Sequence, residues 1–321
     1  MNTKIKYNIL ILLGLGIFLG CKKNDAFNEE TDSKKGAQVF LAKANRGLQE
    51  LQIFPFTDDA RSINFGVEFG AVGLPASPIR IKVAIDNRAF DSLNVIRSTS
   101  ALPLYEKFPA DAYSIDRTDL TIPKGGVSSE LVNVKYFSKK FDTEKDYLLP
   151  ISITDASGYD INPNVKTILI VVPKLVEKVA SRSKWKVTAS SEELTGEGAV
   201  NGHIAAVIDG DINTFWHSSW STVEPPFPHW LEFNMVDSTY ITKIALTPRQ
   251  NNSNGFTKFK LEASLDGATW TVIGDNLVFN PSLKQAQEYP VEHNWYKYLK
   301  LTMLEGKQKS THLAEFTAYT Y

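Results

Sequence analysis

Between Ala206 and Trp220 the chain gathers an Asp-Gly pair, a second carboxylate, a hydroxyl, two tryptophans and a histidine, in the run Ala206-Val207-Ile208-Asp209-Gly210-Asp211-Ile212-Asn213-Thr214-Phe215-Trp216-His217-Ser218-Ser219-Trp220. Asp-Gly makes a tight turn because glycine takes positive φ without a Cβ penalty. Folded back by that turn, Asp209, Asp211, Asn213 and Thr214 offer hard oxygens, the donor type that Ca²⁺ prefers. The same residues also suit an ordinary hairpin. His217 and Trp220 form an amphipathic pair able to hydrogen-bond and to stack on a ligand, whereas Trp216 reads as core.

The frame that must position these residues is long enough for about two domains of ~150 residues each. The chain has 321 residues, 43% of them hydrophobic, and a formal net charge of −1. No basic run is present, which argues against nucleic-acid binding through phosphate neutralisation. At the N-terminus Lys4 and Lys6 precede the apolar run Ile9–Leu19, too short for a comfortable membrane span. The run ends in Phe18-Leu19-Gly20-Cys21, which resembles a bacterial lipobox, and Cys21 is the single cysteine, so no internal disulfide can form. Residues 1–20 are therefore expected to be a lipoprotein signal peptide and Cys21 the lipid attachment point, where acyl chains contribute ~0.8 kcal/mol per buried CH₂. Residues 21–37 are polar and charged and read as a flexible tether.

From 38 to 173 short alternating strands are expected, among them Ile63–Phe69, Ile79–Ile85, Leu131–Tyr136, Tyr147–Thr154 and Lys166–Val172, separated by turn residues. This is the pattern of an antiparallel β-sandwich. The segment contains no histidine, and its carboxylates fall at turns or on exposed faces. Val39-Phe40-Leu41, Ala84-Ile85-Asp86-Asn87, Leu120-Thr121-Ile122-Pro123-Lys124-Gly125 and Tyr147-Leu148-Leu149-Pro150-Ile151 resemble an N-terminal domain without assigned activity found in Bacteroidetes outer-membrane lipoproteins. That resemblance implies an Ig-like fold and a spacer or docking role. Residues 174–183 read as a linker, since Pro173 cannot continue a ladder and charge density rises.

Residues 184–321 read as a second all-β sandwich or jelly roll. Its expected strands include 185–190, 230–235, 241–246 and Phe259–Ala263, the last running into the hairpin signal Leu265-Asp266-Gly267-Ala268. Ala206–Trp220, Pro228–Phe233, Phe256–Trp270 and Ala314-Glu315-Phe316, in that order, resemble a coagulation factor V/VIII type C (discoidin-like) domain, and within that superfamily the family 32 carbohydrate-binding modules. The resemblance implies a galactose-binding-like fold and a structural Ca²⁺. Its ligands would be the carbonyls of Ala206 and Asp211, the carboxylate of Asp209, the hydroxyl and carbonyl of Thr214, the carbonyl of Ala314 and the carboxylate of Glu315.

In galactose-binding members of that family a His and an aromatic three residues on meet an Arg and an Asn five residues apart. His217 and Trp220 have the first spacing and Arg249 and Asn254 the second. Glu197 is the candidate for a further family glutamate, although its distance from His217 departs from the family pattern. Phe227 and Phe279 are additional candidates to line the site.

The expectation is thus a non-catalytic, lipid-anchored protein on the outer membrane, exposed at the cell surface. It would recognise terminal sugars such as galactose or N-acetylgalactosamine, beside the components of a glycan importer. The alternative is an adhesion or assembly lipoprotein, recognised by apolar loop tips in place of the polar His217/Arg249/Asn254 set. Glycoside hydrolysis needs two carboxylates about 5–10 Å apart across a cleft, and the best pair, Asp209 and Glu315, is assigned to the metal, so no enzymatic activity is expected.

Overall fold

The computed structural model describes residues 29–31 and 33–321. The signal peptide, Cys21 and most of the tether lie outside the described residues. The chain divides into two compact units, Met1–Lys174 and Leu175–Tyr321. The all-β expectation holds, with 44% of the chain in strands and 9% helical.

In the first unit a six-stranded sheet runs in the order Asp119–Ile122, Ile79–Ile85, Tyr147–Asp155, Thr167–Val172, Leu48–Glu50, with Glu106–Lys107 also pairing Tyr147–Asp155. The unit also has two three-stranded sheets, one built on Val132–Tyr136 and the other on Gln38–Phe40, and a two-stranded parallel pair of Glu30–Thr31 with Leu74–Pro75. Ile79, Ile81 and Val83 are buried while Arg80 and Lys82 face solvent, the period of two that a half-buried strand imposes. Tyr147–Ile153 is buried at every position instead. The reason is an α-helix, Asn87–Thr99, which packs Phe90 on Leu148 and Val171 and so covers the second face of the sheet.

The sequence pattern predicts only a strand end at Asp86-Asn87, where the structure begins this helix. Asp86 is its N-cap, accepting from the N–H groups of Arg88 and Ala89 at 3.0 Å each. The stretch expected as one strand over Ile63–Phe69 is two, Arg61–Phe65 and Glu68–Gly70, in different sheets. Phe65, Val67 and Phe69 stay buried throughout, so the alternation is real but the ladder changes partner at Gly66-Val67.

The second unit has strands β1 (Lys178–Val179), β2 (Lys186–Ala189), β3 (Trp216–His217), β4 (His229–Thr247), β5 (Phe256–Ser264), β6 (Thr271–Val278), β7 (Gln287–Gly306), β8 (His312–Leu313) and β9 (Glu315–Thr320). Seven of them form one sheet, β1-β9-β4-β7-β5-β6, with β2 on the first half of β4. The two strands expected at 230–235 and 241–246 are one continuous β4. Its register against β7 shifts between Asn234 and Thr239, where Val236 adopts φ 69°. These bends let one sheet wrap a core of Phe233, Phe256, Phe259, Leu301 and Phe316. Residues 174–183, expected as a linker, are largely part of this unit: β1 pairs with Tyr319 and Thr320, and Ala180 donates to the carbonyl of Ala318.

Candidate functional site

The short pair β3–β8 carries the first functional side chain, because it sets His217 directly opposite His312. The preceding residue, Trp216, points inward, is fully buried and donates its indole N–H to the Ser191 carbonyl at 3.0 Å. His217 Nδ1 lies 2.7 Å from the Ser218 carbonyl. A carbonyl only accepts, so Nδ1 carries the proton and the neutral ring presents Nε2 as an acceptor. Nε2 sits 3.8 Å from Glu197 Oε1. Burial holds the His217 pKa below its ordinary value; Ser218 and Glu197 oppose this, and the Arg249 charge adds to it. Behind it His312 is pushed down to about 3 by burial and by the neighbouring His217 and Arg249. The site is thus built around neutral imidazole at neutral pH.

Arg249 follows the end of β4 and grips Glu197 with two bonds, Nη1 to Oε1 at 3.2 Å and Nη2 to Oε2 at 3.1 Å. Its guanidinium lies over the Phe215 ring at 3.7 Å, and Nε donates to Asn251 Oδ1 at 2.8 Å. A planar fork on a carboxylate fixes both partners. Glu197, whose sequence spacing departed from the family pattern, is therefore held between His217 and Arg249. Trp220 keeps 42% of its surface exposed, and its ring centroid is 6.4 Å from that of His217. Glu197, His217 and Trp220, with Glu224, Asn252, Gln308 and Ser310, line a cavity of about 390 Å³.

Asn254 is exposed, and its N–H donates to Asn252 Oδ1 at 2.9 Å. Asn252 is the asparagine that lines the cavity, two residues earlier on the same loop. Neither extra phenylalanine lines it: Phe279 is core, stacked on Phe256 at 4.4 Å, and Phe227 packs on His229 at 4.8 Å.

The most consequential residue absent from the sequence reading is Glu193. It is buried, yet its carboxylate accepts from the N–H groups of Thr195, Gly196, Trp220 and Ser221 and from the hydroxyls of Thr195 and Ser221, at 2.6 to 3.1 Å. Burial alone would raise its pKa, but the bonds from Ser221, Trp220 and Gly196 outweigh it and hold the carboxyl far below the usual range. Glu193 thereby ties the loop bearing Glu197 to the loop bearing Trp220. No spacing along the chain marks Glu193, because its partners Trp220 and Ser221 lie on a separate loop.

The residues expected to hold calcium also meet. Asp209 Oδ2 accepts from the Thr214 hydroxyl at 2.7 Å, which lies 2.9 Å from the Asp211 carbonyl. The Asp211 carboxylate turns away to Asn213. Ala206 is in the turn Ile204–Ile208, and Ala314 joins β8 to β9 just before Glu315. However, Glu315 gives one oxygen to the Gly210 N–H at 2.6 Å and the other to the guanidinium of Arg182. Among the described residues no group of three or more His, Cys, Asp or Glu is placed to hold a metal ion. As arranged, Glu315 already has a cationic partner within the chain itself, the guanidinium of Arg182.

Residues 186–316 match the model of the F5/8 type C domain, and residues 33–160 match a second model, described as an N-terminal domain. A sialidase of Micromonospora viridifaciens is 35% identical over 82 residues, 25% of this chain and 12% of the sialidase. A lacto-N-biosidase of Bifidobacterium bifidum is 27% identical over 183 residues, 56% of this chain and 15% of that protein. The chain thus spans about an eighth of the length of the curated relatives it matches. Among solved structures, the C-terminal domain of a chitobiase from Bacteroides fragilis is 33% identical with a TM-score of 0.41, covering 44% of this chain and 96% of that one.

Proposed function

We propose that the chain is a non-catalytic glycan-binding protein whose F5/8 type C domain takes a terminal sugar into the cavity at Trp220. The observation that carries this is the convergence of Glu197, His217 and the exposed Trp220 indole on one cavity, with Arg249 locked on Glu197. An indole face covers the apolar C–H face of a pyranose. His217 Nε2 and the Glu197 carboxylate accept from sugar hydroxyls, while Arg249 and the Asn252 amide donate. The set holds directed donors and acceptors on both sides of a stacking platform, which suits a galactose or N-acetylgalactosamine terminus. Cys21 would carry the lipid that holds the protein at the outer membrane, facing outward, beside glycan-import components.

A second reading rests on Leu194, Val200 and Val223, which are exposed on the loops flanking the cavity. Apolar tips of this kind suit a protein partner in an adhesion or assembly role. The buried polar set between them favours the sugar.

Calorimetric titration of galactose, N-acetylgalactosamine and glucose into the wild type and Arg249→Ala tests the proposal. Saturable binding of a galactose-type sugar, lost in the variant, is expected. A folded wild type giving no heat with any of the three would overturn the galactoside reading.

A further inference from the structure

Arg182 leaves the segment between β1 and β2 and reaches the Asp209-Gly210 turn and the start of β9. One guanidinium nitrogen donates both to Glu315 Oε2 and, at 3.0 Å, to the carbonyl of Phe316. The other terminal nitrogen lies 3.7 Å from where a Cβ on Gly210 would stand, so the group spreads over the turn. Gly210 itself, at φ +88°, donates its N–H to Glu315 Oε1. Glu315 and Arg182 are both largely withdrawn from solvent, with side chains 4% and 17% exposed. Ca²⁺ requires 6–8 oxygens at about 2.3–2.6 Å. Here both oxygens of Glu315 and both of Asp209 already accept hydrogen bonds from Arg182, Gly210, Asp211 and Thr214.

We infer that Arg182 is a built-in cation that closes this unit in place of a metal ion. Its permanent charge and a single terminal nitrogen satisfy a buried carboxylate and a strand-start carbonyl together. It joins the first turn after β1 to β9 and to the 209–214 loop, and the last two are the segments a bound divalent ion would have to join. The fold around the sugar cavity is accordingly independent of calcium.

Thermal unfolding of the full protein in chelator and in millimolar calcium tests this, with elemental analysis of the purified protein. The wild type is expected to melt within about 1 °C in the two conditions and to carry no stoichiometric calcium, whereas saturating a resident site would raise the midpoint by several degrees. Arg182→Ala, which leaves Glu315 buried without its partner, is expected to melt about 5 °C or more lower. Arg182→Lys, keeping the charge but not the guanidinium spread over the turn, should lose less. Should Arg182→Ala fail to fold, the wild-type comparison still decides. A wild type stabilised by calcium, one equivalent of bound calcium, or an Arg182→Ala protein as stable as the wild type would each overturn the inference.

Discussion

His217 and His312 face each other across the β3–β8 pair with ring centroids 5.3 Å apart, and neither nitrogen of His312 has a hydrogen-bond partner among the described residues. A charge on the His312 ring would have nothing to offset its desolvation, and burial drives its pKa down to about 3; at His217 burial likewise outweighs the Ser218 carbonyl and Glu197 and lowers the pKa. The unfolded chain binds protons on both rings below about pH 6.5, while the folded chain resists until lower pH. The unfolded state therefore holds more protons in this window, and stability falls as pH drops through it, by up to about 1.4 kcal/mol per pH unit for each histidine. Denaturant midpoints measured between pH 7 and 4 should show this slope, and His312→Leu should flatten it. Sugar affinity should weaken over the lower part of the same range, because a proton on Nε2 removes the acceptor that His217 offers.

At the scale of elements, the cavity is made by loops that the sandwich holds apart and Glu193 draws together. Gly196 lies directly under Trp220, where an added Cβ would stand 2.6 Å from the indole Cζ2. Its backbone is not in the left-handed region, so Gly196→Ala acts through that contact alone. The substitution should tilt the indole and cost about tenfold in sugar affinity, about 1.4 kcal/mol, while the unfolding free energy moves by less than about 1 kcal/mol. Calorimetry and chemical denaturation on the same protein separate the two effects.

Strands were legible in the sequence because their period of two survives in Ile79–Ile85 and Phe259–Ala263, whatever their partners. The Asp266-Gly267 hairpin was legible for a similar reason: Asp266 Oδ1 takes the N–H groups of Ala268 and Thr269, and Gly267 adopts φ +77°. The helix Asn87–Thr99 was not, since Val95 and Ile96 are exposed and Phe90 is its one buried residue, leaving no apolar stripe to detect. His217, Trp220 and Arg249 could be found by spacing along the chain. Glu193, Asn252 and Arg182 act through contacts made across loops or across more than a hundred residues, and no local pattern encodes those.

For the whole molecule, a single shallow site of this size binds weakly, and clustering many copies on a membrane raises the effective affinity. That advantage depends on the lipid proposed at Cys21. Cys21→Ser should move the protein from the membrane to the soluble fraction of its host while leaving its sugar affinity in solution unchanged. Fractionation followed by titration checks both halves, and a variant that stays membrane-bound would contradict the anchor. Glycan recognition by this protein depends on the Trp220 cavity being where the sugar binds. A glycan array probed with the wild type and with Trp220→Ala, both shown to be folded by their unfolding curves, tests this most directly. Binding confined to glycans with galactose-type termini, and lost in the variant, is the predicted result. An array on which the wild type binds nothing, or on which Trp220→Ala binds as well as the wild type, would contradict it.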